Sequence, residues 1–133
     1  MNNETLLHRQ IHPSWVQNDS ISSQAFLNEQ VIASLSFTPS AKDDNKLSVY
    51  NGEKYTAEES YIHFTESFES AGVLSVSCEE ITSVGDLVAY EDNDPFDGHS
   101  VIDYSSVESS TQVKKKAKKI KNLAVARGWT HKK

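Results

Sequence analysis

The chain has 133 residues, 37% of them hydrophobic, a net charge of −6 and one cysteine. That length suits a single globular domain, 1–133, and the lone cysteine closes no internal disulfide, as expected of a protein kept in a reducing cytoplasm. No apolar run approaches the roughly 18–20 residues of a membrane span, and residues 1–5 lack the basic and apolar regions of a signal peptide, so no membrane association is expected.

Charge is divided unevenly along the chain. Residues 106–133 carry nine Lys or Arg against one acid, Glu108, whereas residues 1–105 carry four basic residues against eighteen acids. The body should repel a polyphosphate over most of its surface, leaving the C-terminal stretch to bind one locally or to lie against the body's own acids.

Taken in order, residues 1–5 are polar and expected to fray. Residues 6–16 hold Leu7, Arg9 and Ile11 at strand spacing, and Pro13 keeps His12 extended, which predicts a strand ending near His12. Trp15 follows as an anchor beside a turn at 18–20. A short strand is expected over 21–27. A better alternating one is expected over 31–37, with Val31, Ala33, Leu35 and Phe37 on one face. Residues 38–46 read as a loop, 47–50 as a brief strand, and Asn51-Gly52 as a turn.

The clearest helix signal is Thr56-Ala-Glu-Glu59, whose spacing allows Thr56 and Glu59 to cap each other's backbone N–H groups. Ala57, Tyr61, Phe64, Phe68 and Ala71 continue at helical spacing, and Gly72 stands where a left-handed residue ends a helix. This predicts an aromatic-faced helix over 57–71 that packs into the core. Strands are expected over 73–78, 87–90 and 100–104, with a helical turn over 79–86 and an acidic loop over 91–99.

Ser109 and Gln112 have capping spacing at the start of a terminal helix, about 107–127. Its apolar stripe is Val113, Ala117, Ile120 and Ala124, it ends at Gly128, and Trp129 makes the closing contact. The whole reads as an α+β fold, a mainly antiparallel sheet covered by two principal helices.

Chemistry-bearing residues are scattered. His8 and His12 are four apart, a zinc spacing on a helix, but on a strand their Cα atoms lie roughly 13 Å apart and cannot share one ion. With Arg9 they suit a cationic pocket for a phosphate or carboxylate. Setting Gly98 at the glycine position of an EF-hand loop leaves Pro95 and Tyr104 where carboxylates are needed, so calcium does not fit. His99 and Asp103 share a strand face and are candidates for an acid–base pair with a residue such as His12, Ser22 or Tyr50. His63 is expected at the solvent edge of the aromatic helix. Ser22, Ser23, Ser75 and Ser77 lack a nucleophile-elbow context, and Cys78 alternates with Leu74 and Val76 as a core thiol would. There is no phosphate-binding loop, dinucleotide fingerprint or Cys pair, and neither metal nor cofactor is expected.

Two functional expectations follow. The first is a non-catalytic interaction module of a cytoplasmic assembly that contacts an acidic protein, or nucleic acid, through Lys114, Lys115, Lys118 and Lys119. Like charges at i and i+4 along this helix favour an anionic neighbour. The second is a small enzyme or ligand-binding domain with His8, His12, His99 and Asp103 as catalytic candidates and Arg9 as a ligand-binding residue.

Overall fold

The computed structural model describes residues 1–18 and 30–133; the strand expected over 21–27, with Ser22 and Ser23, lies outside the described residues. The fold is α+β. One antiparallel sheet of six strands is built from β1 (Leu6–Ile11), β4 (Lys46–Asn51), β5 (Gly72–Ser77), β6 (Val88–Glu91), β7 (His99–Asp103) and β8 (His131–Lys132). Their spatial order is β6-β7-β4-β1-β5-β8, and β2 (Val16–Asn18) pairs with β3 (Gln30–Ile32) as a separate ribbon. The helices are α1 (Ala57–Thr65), α2 (Cys78–Val84) and α3 (Ser110–Arg127).

Alternation along the strands gives the sheet two unlike faces. Leu7 and Ile11 of β1, Leu47 and Val49 of β4, Leu74 and Val76 of β5 and Ile102 of β7 point to one side and are buried there. Over them lies α3, through Ala117, Ile120 and Ala124, with Ile81 of α2 and Phe37 completing the core. The two alanines let the helix sit close to the sheet, and burying Ile120 contributes about 1.5–3 kcal/mol. Tyr104, fully buried, spends its hydroxyl on the Phe37 carbonyl at 2.7 Å.

The other face carries His8 and Gln10 of β1, Ser48 and Tyr50 of β4, His99 of β7 and Ser75 of β5. Among the described helices α1 rests on it, through ring contacts of Tyr61 and His63 and a polar seat on β1. Gln10 donates to Ser60 Oγ at 2.9 Å and accepts from Ser70 Oγ at 3.0 Å, while Ser70 Oγ accepts from Gly72 N at 3.2 Å. All three side chains are buried, and these bonds satisfy them.

Several local expectations are corrected. The helix predicted over 57–71 begins as expected, with the Thr56–Glu59 capping box formed, but ends at Thr65, whose hydroxyl turns back to the Tyr61 carbonyl at 2.8 Å. Its aromatic residues do not enter the core: Tyr61 and Phe64 are half-buried and Phe68 is 67% exposed. Gly72 is not a helix end but the start of β5. It has φ +149, and a Cβ there would lie 2.9 Å from the Trp129 ring, so glycine permits the approach of β8.

The run 31–37 is split between β3 and a 3-10 turn, Ser34–Phe37. Ser36 Oγ donates to the Ala33 carbonyl and Thr38 Oγ1 to the Ser34 carbonyl, so hydroxyls capture backbone acceptors that a strand would have used. Cys78 opens α2 rather than closing a strand, because Ser77 and Glu80 form a capping box one residue ahead of it. The thiol is half-buried, and burial pushes its pKa up. The terminal helix starts at Ser110, after a Ser109 cap on Gln112 N, and ends at Gly128 with φ +89. Residues 1–5, expected to fray, form a turn in which Asn2 Oδ1 accepts from Glu4 N and Thr5 N. Cys78 N and Glu79 N bond to this segment's carbonyls.

Candidate functional site

The partly covered face of the sheet forms a groove of about 530 Å³. Its floor is Ser48, Tyr50 and His99 with His8, Arg9 and Gln10. One wall is the C-terminal end of α1 and the turn after it, with His63, Phe64 and Phe68. The other is Pro95 and Phe96 from the loop before β7, and His12 and Trp15 stand at one end. Most of the lining surface is apolar, as in many small-molecule sites.

The groove exists because β1 and β4 part company. They pair only at Leu7↔Asn51 and His8↔Tyr50, so beyond that point β4 has carbonyls without a β1 partner. Arg9 fills the split: Nε donates to the Ser36 carbonyl at 2.8 Å, Nη1 to the Ser48 carbonyl at 2.9 Å, and the guanidinium lies 5.5 Å from the centre of the Trp15 ring. Burial lowers its pKa to about 10, which leaves it charged at neutral pH. Among the described residues no carboxylate lies within ion-pair distance of it. Arg9 therefore holds the split together and keeps a positive charge there at the groove's edge, with the Asp43 carboxylate acting on it from beyond ion-pair distance.

Phe96 organises the wall on the β7 side. Its ring lies 4.6 Å from that of His63, 5.1 Å from Tyr50 and 5.5 Å from His99. The loop reaches this position through Gly98, whose φ of +97 and lack of Cβ allow it to pass the Tyr55 ring, and through an ion pair between Lys54 and Asp97. Tyr50 and His63 share a 2.8 Å hydrogen bond between Oη and Nδ1. Burial raises the Tyr50 pKa well above the usual phenol range, so the hydroxyl stays protonated.

His8, Arg9, His12 and His99, separated in sequence, all line this groove, but in different capacities. The His8 ring is committed on both sides, Nδ1 to Ser75 Oγ at 2.7 Å and Nε2 to the Tyr55 carbonyl at 3.1 Å, and burial lowers its pKa, favouring the neutral ring. It acts as a strut. His12 caps the 3-10 turn Pro13–Trp15, with Nδ1 accepting from Ser14 N at 3.0 Å, and is exposed at the mouth of the groove.

His99 is nearly buried. Its Nδ1 lies 2.7 Å from the Asp92 carbonyl and its Nε2 3.0 Å from Ser48 Oγ. A carbonyl can only accept, so Nδ1 carries the proton and Nε2 offers its lone pair to the serine hydroxyl. Asp103 is not part of the groove. It takes Tyr90 Oη at 3.1 Å and Ser105 N at 2.8 Å at the far end of β7. There burial raises its pKa but the Ser105 and Tyr90 hydrogen bonds outweigh that and hold it below the usual range.

Ser48 and His63 belong to the groove without having stood out in the sequence. Ser48 sits in a short run between loop residues, and only its register opposite Val101 of β7 sets it two residues before Tyr50, within reach of His99. His63 follows helical spacing to Phe64's neighbour, but its partner Tyr50 lies on a distant strand. Among the described residues no three His, Cys, Asp or Glu side chains come together as a metal site.

The lysines lie on α3, across the sheet from the groove. Lys114, Lys115, Lys118 and Lys119 are exposed, while Lys116 turns back to the Val84 carbonyl at 3.3 Å and to Asp86 at 3.8 Å. No described helix is long and apolar enough to cross a membrane. Compared with known protein families, with curated proteins and with solved structures, the chain matches none.

Proposed function

We propose that this chain is a ligand-binding domain whose groove takes a small anion, a phosphate or carboxylate, carried on an aromatic body. The observation that supports this most directly is Arg9, a charged guanidinium that makes no ion pair among the described residues and bridges the strand split along an otherwise apolar, aromatic-walled groove. A cation in a low-dielectric setting attracts an anion more strongly than one in open water, and Trp15, Phe64, Phe68 and Phe96 offer ring faces to a flat apolar body. His12 at the mouth and His63 on the wall add hydrogen-bonding groups from separate elements.

Phenyl phosphate tests this reading, with phenol and inorganic phosphate as its two halves. In a titration followed by NMR, the ring signals of His12, His63 and His99 and the Trp15 indole signal should move with phenyl phosphate at concentrations where neither half moves them. Absence of any shift at millimolar phenyl phosphate, or equal response to inorganic phosphate alone, would overturn it.

A second reading is supported by the outward position of Lys114, Lys115, Lys118 and Lys119. This face serves as a contact for an acidic protein partner in a larger assembly. Replacing all four by Gln should weaken capture of an acidic partner and remove its salt dependence. Capture of duplex DNA or RNA instead, with the steep salt response of phosphate binding, would reassign the face to nucleic acid.

A further inference from the structure

We infer that Ser48 is a nucleophile and His99 its general base, so that the groove transfers acyl groups from esters with an apolar acyl chain, through Ser48, to water. Three groups stand in the order such chemistry needs. Ser48 Oγ is 3.0 Å from His99 Nε2, and His99 Nδ1 is 2.7 Å from the Asp92 carbonyl. The backbone oxygen does the work of the third group in a nucleophile–base–orienter set, holding the imidazole in the tautomer that accepts from the serine. Ser48 is exposed to the groove while His99 is nearly buried. The base is thus shielded from bulk water, and the nucleophile is open to a substrate.

His99 is also locked in place. Its ring packs edge-on to Phe96, and the segment before it is tied by Asp92 N to the His99 carbonyl at 3.0 Å. The backbone under the nucleophile is held as well, since Arg9 donates to Ser48's own carbonyl at 2.9 Å. The other hydroxyls of this face are engaged within the fold: Ser75 with His8 and Thr130, Tyr50 with His63.

The step balances without a further reactant. Ser48 Oγ attacks the ester carbonyl carbon as its proton passes to His99 Nε2. The bond to the leaving alcohol breaks, the alcohol takes that proton, and the acyl group stays on Ser48. Water, deprotonated by the same Nε2, then attacks the acyl carbon; the bond to Ser48 Oγ breaks, Oγ takes the proton back from Nε2, and the carboxylic acid leaves.

A fluorophosphonate bearing an alkyl chain reads the first half directly, because Oγ displaces fluoride only when a base activates it. Incubation of the whole native chain, followed by peptide mapping, should place the adduct on Ser48. Labelling should be lost in Ser48→Ala, slowed about 100-fold or more in His99→Gln, and absent in the urea-unfolded chain. p-Nitrophenyl butyrate should then turn over with the same dependence on Ser48. An independent check uses the unmodified protein: the labelling rate across pH should follow the neutral fraction of the His99 ring measured by NMR in the same sample.

No adduct on Ser48 in the native chain, equal labelling of the unfolded chain, or a rate indifferent to the state of His99 would each overturn the inference. It uses the same groove but no anionic ligand, so loss of phenyl phosphate binding and loss of Ser48 labelling are separate results.

Discussion

The guanidinium of Arg9 donates to the Ser48 carbonyl across the gap where β1 and β4 separate, at 2.9 Å. Lysine cannot reproduce this, because one ammonium cannot reach the Ser36 and Ser48 carbonyls and also lie flat against Trp15. Arg9→Lys should lower stability by about 2–4 kcal/mol, the scale of two charge-assisted hydrogen bonds lost from a half-buried position. Urea unfolding monitored by Trp fluorescence would measure it, and a change below about 0.5 kcal/mol would show that the split needs no such tie.

His8 should give the protein a pH-dependent stability. Burial lowers its pKa from 6.5 in the folded state, the Tyr55 hydrogen bond opposing this only in part. Above that value both folded and unfolded chains hold it neutral and its contribution is complete. As pH falls below it the unfolded chain takes up the proton first, and stability declines until the folded-state pKa is passed. The slope from this one group cannot exceed about 1.4 kcal/mol per pH unit. His8→Gln should flatten the unfolding midpoint against pH over the range just below 6.5. An unchanged slope would assign the effect elsewhere.

Gly98 is where the Phe96 loop passes Tyr55. At φ +97 an alanine Cβ would lie 2.5 Å from the Tyr55 ring. Gly98→Ala should cost about 1–3 kcal/mol from backbone strain alone. It should also pull Phe96 away from His63, which the ring-current shift of the His63 protons would report. Retention of that shift would place the loop's anchor at Lys54–Asp97 instead.

Phe68 separates groove from core. With 67% of its surface exposed, Phe68→Ser should change stability by no more than about 0.5 kcal/mol. It should still weaken the response of the groove to phenyl phosphate. A large loss of stability would mean that Phe68, in the turn after α1, is structural after all.

Much of the local grammar was readable. The Thr56 and Ser109 caps, the Gly128 ending and the Val113–Ala124 stripe of α3 follow from short-range rules that depend on neighbours three or four residues away. The errors fall where a distant element decided the outcome. Ser36 is a local exception: it stands in the run expected as a strand, but its hydroxyl takes the Ala33 carbonyl three residues back. Gly72 looks like a helix terminator, but its backbone answers to Trp129 and His131. The same holds for the site. His8, Arg9, His12 and His99 stood out by residue type. Which partner each ring meets is set by strand register: β1 against β5 puts Ser75 opposite His8, and β4 against β7 puts Ser48 diagonal to His99. Asp103, on the same strand as His99, is carried out of the groove by four residues of extended chain.

The polar seat of α1 has a kinetic consequence. Helix α3 cannot leave the sheet without wetting Ala117, Ile120 and Ala124, whereas α1 is tied to β1 through the Ser60–Gln10 hydrogen bond, whose groups water can satisfy once the helix lifts away. Detachment of α1 therefore breaks the ring contacts of Tyr61 and His63 but opens none of the main core, and its backbone amides should exchange with deuterium well before those of α3 or β1. Because α1 and the turn after it carry His63, Phe64 and Phe68, this early-opening segment is also the wall of the groove, and the rate at which it lifts sets how quickly a bulky occupant can enter or leave.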